Sequence, residues 1–341
     1  MDRFAALIFC GICCLPPVFR FAKNPSPKGT ILPVLPDVFG IPPVMQSILP
    51  QLLVNALISG SIYALAAAGL ALIYGLFRVM NFAHGHMMMI GAYFYYMFNV
   101  ELAYSIPSAS VLTIAALLVI GYISLEIFIT PMLQLSILLP LISTLALSYI
   151  LESGVSMGFG VNVKSLSPGS AGQSYEIAGV YITPIQIGII LSSILLLSML
   201  AFVVHSTSVG RKIRALREYS FAATSLGTDE RSVRRTMFLI SVLLSGFAGV
   251  MVGYETNLQP TMGQSYTIKA LSAMILGGLG NIWGTVAGSF LLGLVENLAI
   301  GLDFGGYSLP AGYKDAFAFV IILLVLLVRP TGLFNSRSRK A

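Results

Sequence analysis

Charged residues are scarce in this chain and make up 9% of its 341 residues, whereas soluble domains carry about 25%. Apolar residues account for 57%, and several apolar runs reach the roughly 20 residues that an α-helix needs to cross a bilayer. This composition excludes an ordinary soluble protein. It predicts an all-α bundle of transmembrane helices, with about 8 to 10 spans and some broken helices.

Cysteine and histidine are also scarce, with three of each. All three cysteines lie within the first 14 residues, so no disulfide framework extends through the chain. Their CxxC spacing lacks a second pair and a neighbouring histidine, which favours a small apolar segment over a metal site. No catalytic pattern of serine, histidine and carboxylate is present. The chain also lacks a GxxxxGK(S/T) phosphate loop, which excludes ATP binding by that route.

The net charge of +6 comes from basic residues that lie between and after the apolar runs. Such placement is typical of topology signals and of contacts with anionic headgroups, and it does not indicate nucleic-acid binding. We expect an N-terminal extension at residues 1–46, a transmembrane domain at 47–335 and a basic cytoplasmic tail at 336–341. Residues 152–183, which carry few positive charges, are predicted to form an extracytoplasmic loop.

Residues 209–235 form a long polar interruption that holds seven of the 19 lysines and arginines. Because unstructured loops of this length are uncommon, we interpret the segment as a folded cytoplasmic docking element; the alternative is a topology signal with some helical character. Gly227 suits a left-handed helix end. The apolar side of the predicted helix carries Ile213, Leu216, Ala223 and Leu226.

Two further breaks lie inside apolar runs. Residues 81–86 leave no room for a loop, so they predict a membrane boundary or a broken helix beside a cavity. Asn81 and His84 there either line a solute pathway or only cap the broken helix and satisfy each other. The second break is glycine-rich, and it predicts two short helices around a bend.

Glu296 and Asn297 lie late in the second of these helices. An ionisable residue inside a span indicates a functional site by default. The alternative places Glu296 at the helix end among lipid headgroups.

Four stretches together resemble the permease subunit of branched-chain amino acid ATP-binding-cassette (ABC) importers of the LivH type. These are NFAHG at 81–85, GRKIRAL at 210–216 with AAxxxG at 222–227, the stretch Lys269–Asn297, and the stretch Tyr313–Phe334. The resemblance extends from about Gln51 to Phe334 and leaves out the N-terminal extension.

The resemblance implies a permease of the type II ABC importer kind in the bacterial inner membrane. It implies four sorts of partner: a second, LivM-like permease subunit, two ATP-binding subunits that hold ATP and magnesium, an extracytoplasmic solute-binding protein, and the lipid bilayer. No cofactor or metal is expected on this chain. The implied solute is a branched-chain or other neutral amino acid. Urea or a short amide is the alternative of the same architecture, and an ion-coupled secondary transporter is the alternative of another class.

The resemblance also implies residue roles. Coupling to an ATPase is expected of Gly210, Arg211, Arg214, Arg217, Glu218, Ala222, Ala223 and Gly227. The solute pathway is expected at Asn81, His84, Gly85, Gly277, Gly278, Gly280, Glu296 and Asn297. Two positions depart from the pattern, because Phe221 and His86 stand where related permeases often carry acidic residues.

Overall fold

The computed structural model describes residues 43–136, 138–166, 174–177 and 179–301, together with separate positions between 316 and 334. Most of the predicted N-terminal extension and the predicted tail at 336–341 lie outside the described residues. Much of the predicted last span, at 316–328, also lies outside them.

The described chain is helical, as the composition predicts. Its helices are α1 (Pro43–Phe77), α2 (His84–Tyr96), α3 (Ile106–Ile123), α4 (Thr130–Leu133), α5 (Leu139–Phe159), α6 (Pro184–Ser206), α7 (Ser208–Glu218), α8 (Ser220–Ser225), α9 (Glu230–Glu255), α10 (Met262–Gly277) and α11 (Ile282–Gly301). Helix α2 continues into a π-helical segment at Met97–Glu101, and a second such segment, at Ser124–Ile129, joins α3 to α4.

Six of the helices in the described residues are long and apolar enough to cross a membrane. They cover Ile48–Phe77, Ile106–Leu133, Leu139–Phe159, Pro184–Ser206, Glu230–Glu255 and Ile282–Ala299. The predicted figure of about 8 to 10 also counted α2 and α10, which are shorter, and a last span that lies largely outside the described residues.

Helix α1 lies at the centre of the bundle. Every residue from Gly60 to Ile73 is buried, and the helix packs against α6, α9, α10 and α11. A helix that is apolar all round is expected at such a position. Small residues allow close crossings, because a Cβ at Gly293 of α11 would come within 2.8 Å of the Ala56 carbonyl oxygen on α1.

The two short helices α2 and α10 contact each other inside the bundle. The side chains of Met87, Met88 and Met89 on α2 have no exposed surface, so these flexible side chains fill the core of the bundle. By contrast, α3, α5 and α6 expose large apolar side chains such as Val111, Met157 and Leu195. Outward-facing apolar residues on long helices are what a lipid environment requires.

A short antiparallel hairpin precedes α6, with β1 (Tyr175–Ile177) paired to β2 (Val180–Ile182). The predicted extracytoplasmic loop at 152–183 begins later than expected, because α5 continues to Phe159. Backbone hydrogen bonds between Lys164 and Leu258 join this loop to the α9–α10 loop. The two loops therefore lie on one side of the bundle.

Candidate functional site

The predicted docking element folds as the helices α7 and α8, which lie between α6 and α9. We call residues 207–229 the connector. Helix α7 begins at a Thr207 cap, whose side chain accepts a hydrogen bond from the Gly210 amide. Ile213 and Leu216 are buried, so one face of α7 packs on the membrane domain as the amphipathic pattern predicts. Gly210 is needed for this packing, because a Cβ there would collide with the carbonyl group of Val204.

Arg217 ties α7 to the glycine-rich bend. Its Nη2 atom donates a hydrogen bond to the carbonyl oxygen of Gly280 over 2.5 Å. Its guanidinium also packs on α1, since a Cβ at Gly75 would come within 3.3 Å of Arg217 Cζ. Burial lowers the pKa of this guanidinium, and the positive charge of Arg78 lowers it further.

The second connector helix faces solvent. Phe221 is 85% exposed and Leu226 is 87% exposed, while Ala223 is buried. The expectation that Leu226 shares a buried face with Ile213 and Leu216 is therefore wrong. The chain leaves the helical conformation at Tyr219, where φ is −142° and ψ is 88°, so the face of α7 is not continued along α8.

Gly227 ends the second helix in the predicted way. Its φ is +84°, and the Thr228 amide donates to the Ala223 carbonyl while the Gly227 amide donates to Thr224. This pattern is that of a glycine-terminated helix end. Asp229 then caps α9 by accepting a hydrogen bond from the Arg231 amide.

The predicted coupling residues fall into two groups. Arg211, Glu218, Ala222 and Gly227 are exposed and available to a partner. The others hold the connector to the membrane domain: Gly210 and Ala223 are buried, Arg217 binds Gly280, and Arg214 donates to the carbonyl oxygens of Val204 and His205 at the end of α6.

The segment between α1 and α2 is a true break. Helix α1 ends at Phe77 and α2 begins at His84, which confirms the predicted broken helix. Asn81 and His84 do not satisfy each other through their side chains, contrary to one of the two interpretations. Asn81 Oδ1 accepts from the Ala83 amide over 3.0 Å, and His84 Nε2 lies 2.8 Å from the Ala66 carbonyl oxygen on α1.

Other helices also fix the start of α2. The Ser245 hydroxyl donates to the His84 carbonyl oxygen over 2.8 Å, and the Gly85 amide donates to Thr267 Oγ1 over 3.1 Å. Gly85 permits this contact, because a Cβ would overlap Thr267 and the Gly263 carbonyl. Within the described residues, Asn81 Nδ2 and His84 Nδ1 have no hydrogen-bond partner. The arrangement favours an anchoring role, and the pathway role of Asn81, His84 and Gly85 stays a prediction.

The glycine-rich bend between α10 and α11 also forms as predicted. Gly278 has a φ of +110° and Gly280 a φ of +79°, conformations that side chains with a Cβ rarely adopt. Gly277 and Gly284 meet at the crossing, where a Cβ on either would collide with the other's backbone. These glycines bend and pack the chain at the level of the connector.

Glu296 lies inside the bundle, not among headgroups. Its side chain has no exposed surface, so the headgroup alternative is wrong. Tyr63 OH donates to Glu296 Oε2 over 2.8 Å, and Lys269 Nζ donates to Tyr63 OH over 3.1 Å. Lys269 Nζ also lies 3.5 Å from Glu296 Oε2. Since Tyr63 is near the middle of the span Ile48–Phe77, this ion pair lies deep in the membrane domain.

A line of polar side chains leads to the ion pair along α1. Gln51, Asn55, Ser59 and Tyr63 are spaced one every four residues and therefore share one face. Gln51 bonds the backbone of Tyr181 in the hairpin and also Asn55, and Ser59 lies 3.4 Å from Asn297 Nδ2. The polar seam denotes these α1 residues together with Lys269, Glu296 and Asn297.

Residues 52–326 match the protein family described as "Branched-chain amino acid transport system / permease component". The chain belongs to this family. It is 34% identical over 299 residues to the high-affinity branched-chain amino acid transport system permease protein BraD of Pseudomonas aeruginosa, with 84% of this chain and 95% of the relative covered. It is 32% identical over 299 residues to the corresponding LivH protein of Escherichia coli, with the same coverage.

A solved structure, described as PsaBC from Streptococcus pneumoniae in complex with Fab, aligns with a TM-score of 0.46 and 10% sequence identity. The alignment covers 81% of this chain and 91% of that chain.

As a branched-chain amino acid permease component, the chain is a multi-pass protein of the bacterial inner membrane. Permease components are not themselves enzymes, and they work with ATP-hydrolysing and solute-binding components on other chains. In the part of the permease that the structure describes, no group of three or more His, Cys, Asp or Glu side chains could hold a metal ion.

Sequence reasoning missed Lys269 and Tyr63, the partners of Glu296 in this permease. A lysine inside an apolar helix indicates a functional site by itself, although Lys269 enters the sequence prediction only as the first residue of the stretch Lys269–Asn297. The spacing of Gln51, Asn55 and Ser59 also indicates a polar helix face, although the surrounding apolar run predicts only a transmembrane helix.

Proposed function

We propose that this permease moves branched-chain or other neutral amino acids into the cytoplasm within an ATP-driven complex. A second, LivM-like permease subunit would complete the membrane part. Two cytoplasmic subunits would bind ATP and magnesium and hydrolyse the ATP, and an extracytoplasmic binding protein would deliver the solute. The names of BraD and LivH, which state branched-chain amino acid transport for those proteins, support this choice of solute.

The observation that carries the proposal is the two-sided construction of the connector. Its first helix is held to the membrane domain by Ile213, Leu216 and the Arg217 bond to Gly280. Its second helix exposes Phe221, and the residue that follows this helix, Leu226, is also exposed. Exposed apolar side chains with a polar surround are typical of protein contact surfaces. We assign this surface to a cytoplasmic ATPase subunit.

The same construction supplies a route for transmitting motion. An ATPase that moves α8 would move α7 with it, and Arg217 would carry the movement to Gly280 at the bend between α10 and α11. Helices α10 and α11 carry Lys269 and Glu296. A change at the cytoplasmic surface would therefore alter the packing around the polar seam, provided that the contacts differ between two states of the complex.

The polar seam is the preferred solute pathway. Gln51, Asn55 and Ser59 are partly exposed, and facing them toward hydrocarbon would be unfavourable. We therefore place them at a water-filled path or at the second permease subunit. An ion-coupled secondary transporter is less well supported, because Glu296 is already paired with Lys269 and so offers a poor site for a coupling cation.

The test is a pair of substitutions on the connector surface, Phe221→Ser and Leu226→Ser. In a complex assembled with its ATPase and binding protein, each should weaken ATPase binding and reduce labelled leucine uptake. The matched control is Val161→Ser, which removes an apolar side chain that is 77% exposed on the opposite side of the bundle. Unchanged ATPase binding in both connector variants would contradict the proposed contact. Uptake of labelled urea in place of leucine by the unaltered complex would contradict the proposed solute.

A further inference from the structure

The ion pair of Lys269 and Glu296 suggests how the permease handles charge in the membrane. We propose that the two side chains form a transient binding site for a zwitterion, in which Lys269 receives the α-carboxylate of an amino acid and Glu296 receives its α-ammonium group. This inference rests on the proposed function and adds to it the site and the groups that contact the solute.

An amino acid brings two opposite charges into the membrane domain. A free amino acid carries one positive and one negative group, and either group is unfavourable in a hydrocarbon interior unless it is paired. The two charged atoms of the site lie 3.5 Å apart, so one small zwitterion can meet both. When the solute binds, Lys269 pairs with its carboxylate and Glu296 with its ammonium group, so every charge keeps an opposite partner. The exchange therefore avoids leaving an unpaired charge inside the bundle.

The Tyr63 hydroxyl contacts both charged groups of the site. It donates to Glu296 and accepts from Lys269, so it bridges the two charged groups. A hydroxyl can rotate and still serve as donor or acceptor. Tyr63 can therefore remain bonded to either group while the pair opens, which reduces the loss of hydrogen bonds during the exchange.

The two charged side chains of the site differ in their exposure. The Lys269 side chain is 12% exposed while that of Glu296 is fully covered. Ser265, one helical turn before Lys269 on α10, is exposed. The α1 residues of the polar seam lead from the hairpin side of the bundle to Tyr63. One turn before Tyr63, Ser59 lies within 3.4 Å of Asn297 Nδ2. The lysine end of the site is thus the end that a solute would reach first.

Two tyrosine rings lie beside the Lys269 ammonium group. The rings of Tyr63 and Tyr266 lie with their centroids 6.3 Å apart at an angle of 57°, and Lys269 Nζ lies 5.2 Å and 5.9 Å from the two ring centroids. Aromatic faces hold a cation without a fixed hydrogen bond. They can stabilise the ammonium group of Lys269 as it turns toward a carboxylate, and they offer apolar surface to an aliphatic side chain.

A structural lock between α1, α10 and α11 is the competing explanation. Removing one charge alone does not distinguish the two, because it leaves the other charge buried and unpaired. Removing both charges does distinguish them. If the pair only locks the three helices together, the double replacement either impairs assembly or leaves transport per assembled complex normal. If the pair is a zwitterion site, the double variant assembles and loses transport.

The experiment uses the double variant Lys269→Met with Glu296→Gln in the full complex, reconstituted in proteoliposomes with the ATPase subunits and the binding protein. Labelled leucine is the probe. We expect normal assembly and a fall in leucine uptake per assembled complex of about tenfold to a hundredfold. The matched control is Lys164→Met with Glu101→Gln, which removes another ion pair, with a separation of 2.9 Å, outside the seam. The control should transport leucine at the unaltered rate.

Two results would overturn the inference. Leucine uptake by the double variant at the unaltered rate would show that the charges do not meet the solute. Failure of the double variant to assemble, while the Lys164 and Glu101 control assembles, would show that the pair is a structural lock. Failure of the unaltered complex to take up leucine would instead refute the proposed function, and the zwitterion site would fall with it.

Discussion

Arg217 Nη2 and the carbonyl oxygen of Gly280 are joined by a hydrogen bond of 2.5 Å, across 63 residues of sequence. This bond connects the connector to the bend between α10 and α11. The buried contacts of α7 through Ile213 and Leu216 are apolar and therefore non-directional. The bond is therefore the contact through which we expect coupling to be most sensitive.

Replacing Arg217 with alanine should uncouple the complex. A hydrogen bond from a charged group contributes about 1.5–3 kcal/mol, which corresponds to about a tenfold to hundredfold change in an equilibrium. We expect solute-stimulated ATPase activity to fall by such a factor while the complex still assembles. Lys212→Ala is the matched control, because Lys212 is an exposed basic residue of the same helix. Equal losses in both variants would point to a general effect of positive charge and against the Gly280 contact.

Gly227 should tolerate asparagine better than valine. Its φ of +84° is unfavourable for residues with a Cβ, and no described heavy atom lies within 4 Å of a Cβ built there. Strain and not collision therefore decides the outcome, with a penalty of about 1–2 kcal/mol. Asparagine adopts this conformation more readily than valine. We expect the binding affinity for the ATPase to decrease in the order Gly, Asn, Val. Valine and asparagine are similar in size, so equal affinities of the two variants for the ATPase would contradict this reasoning.

Glycines at helix crossings should respond differently from exposed glycines. A Cβ at Gly91 of α2 would lie 2.5 Å from the Gly246 Cα on α9, so Gly91→Ala forces two backbones apart at a penalty of about 1–3 kcal/mol. Gly158→Ala on α5 is the matched control, because no described heavy atom lies within 4 Å of its added Cβ. Thermal unfolding in detergent should show a lower midpoint for the first variant and an unchanged or higher midpoint for the second.

Local patterns predicted much of the fold. The α7 helix, its buried Ile213 and Leu216, and the helix end at Gly227 follow from spacing and from the properties of glycine over short distances. The spacing predicts the wrong side for Leu226, because the chain leaves the helical conformation at Tyr219 and the apolar face of α7 does not continue beyond it. A helical pattern predicts a face only as far as the helix continues.

The polar seam shows where sequence reasoning ends. Tyr63 and Glu296 are 233 residues apart, and nothing in either neighbourhood specifies the other as a partner. Glu296 could be recognised as an unusual residue, but its burial and its pairing with Lys269 depend on how α1, α10 and α11 pack. The packing of these three helices depends on the whole bundle, so short-range sequence patterns do not predict which side chains meet.

His84 either anchors the start of α2 or contacts the solute, and one substitution distinguishes these two roles. Its ring is enclosed, since a Cβ at Gly69 would come within 3.1 Å of His84 Cε1, and its Nε2 atom bonds the Ala66 carbonyl oxygen. Removing the ring by His84→Ala loses this bond and leaves a cavity, which together should lower the free energy of unfolding by about 2–4 kcal/mol. His205→Ala is the control, because His205 is exposed at the end of α6.

For His84→Ala we expect a lower unfolding midpoint in detergent but an unaltered rate of leucine uptake per assembled complex. The reason is that the ring is held by the bundle itself and is almost fully covered, at 1% exposure. If instead the midpoint is unchanged and the uptake per complex is lost, then His84 contacts the solute. The pathway would in that case run through the start of α2, on the other side of α10 from the seam.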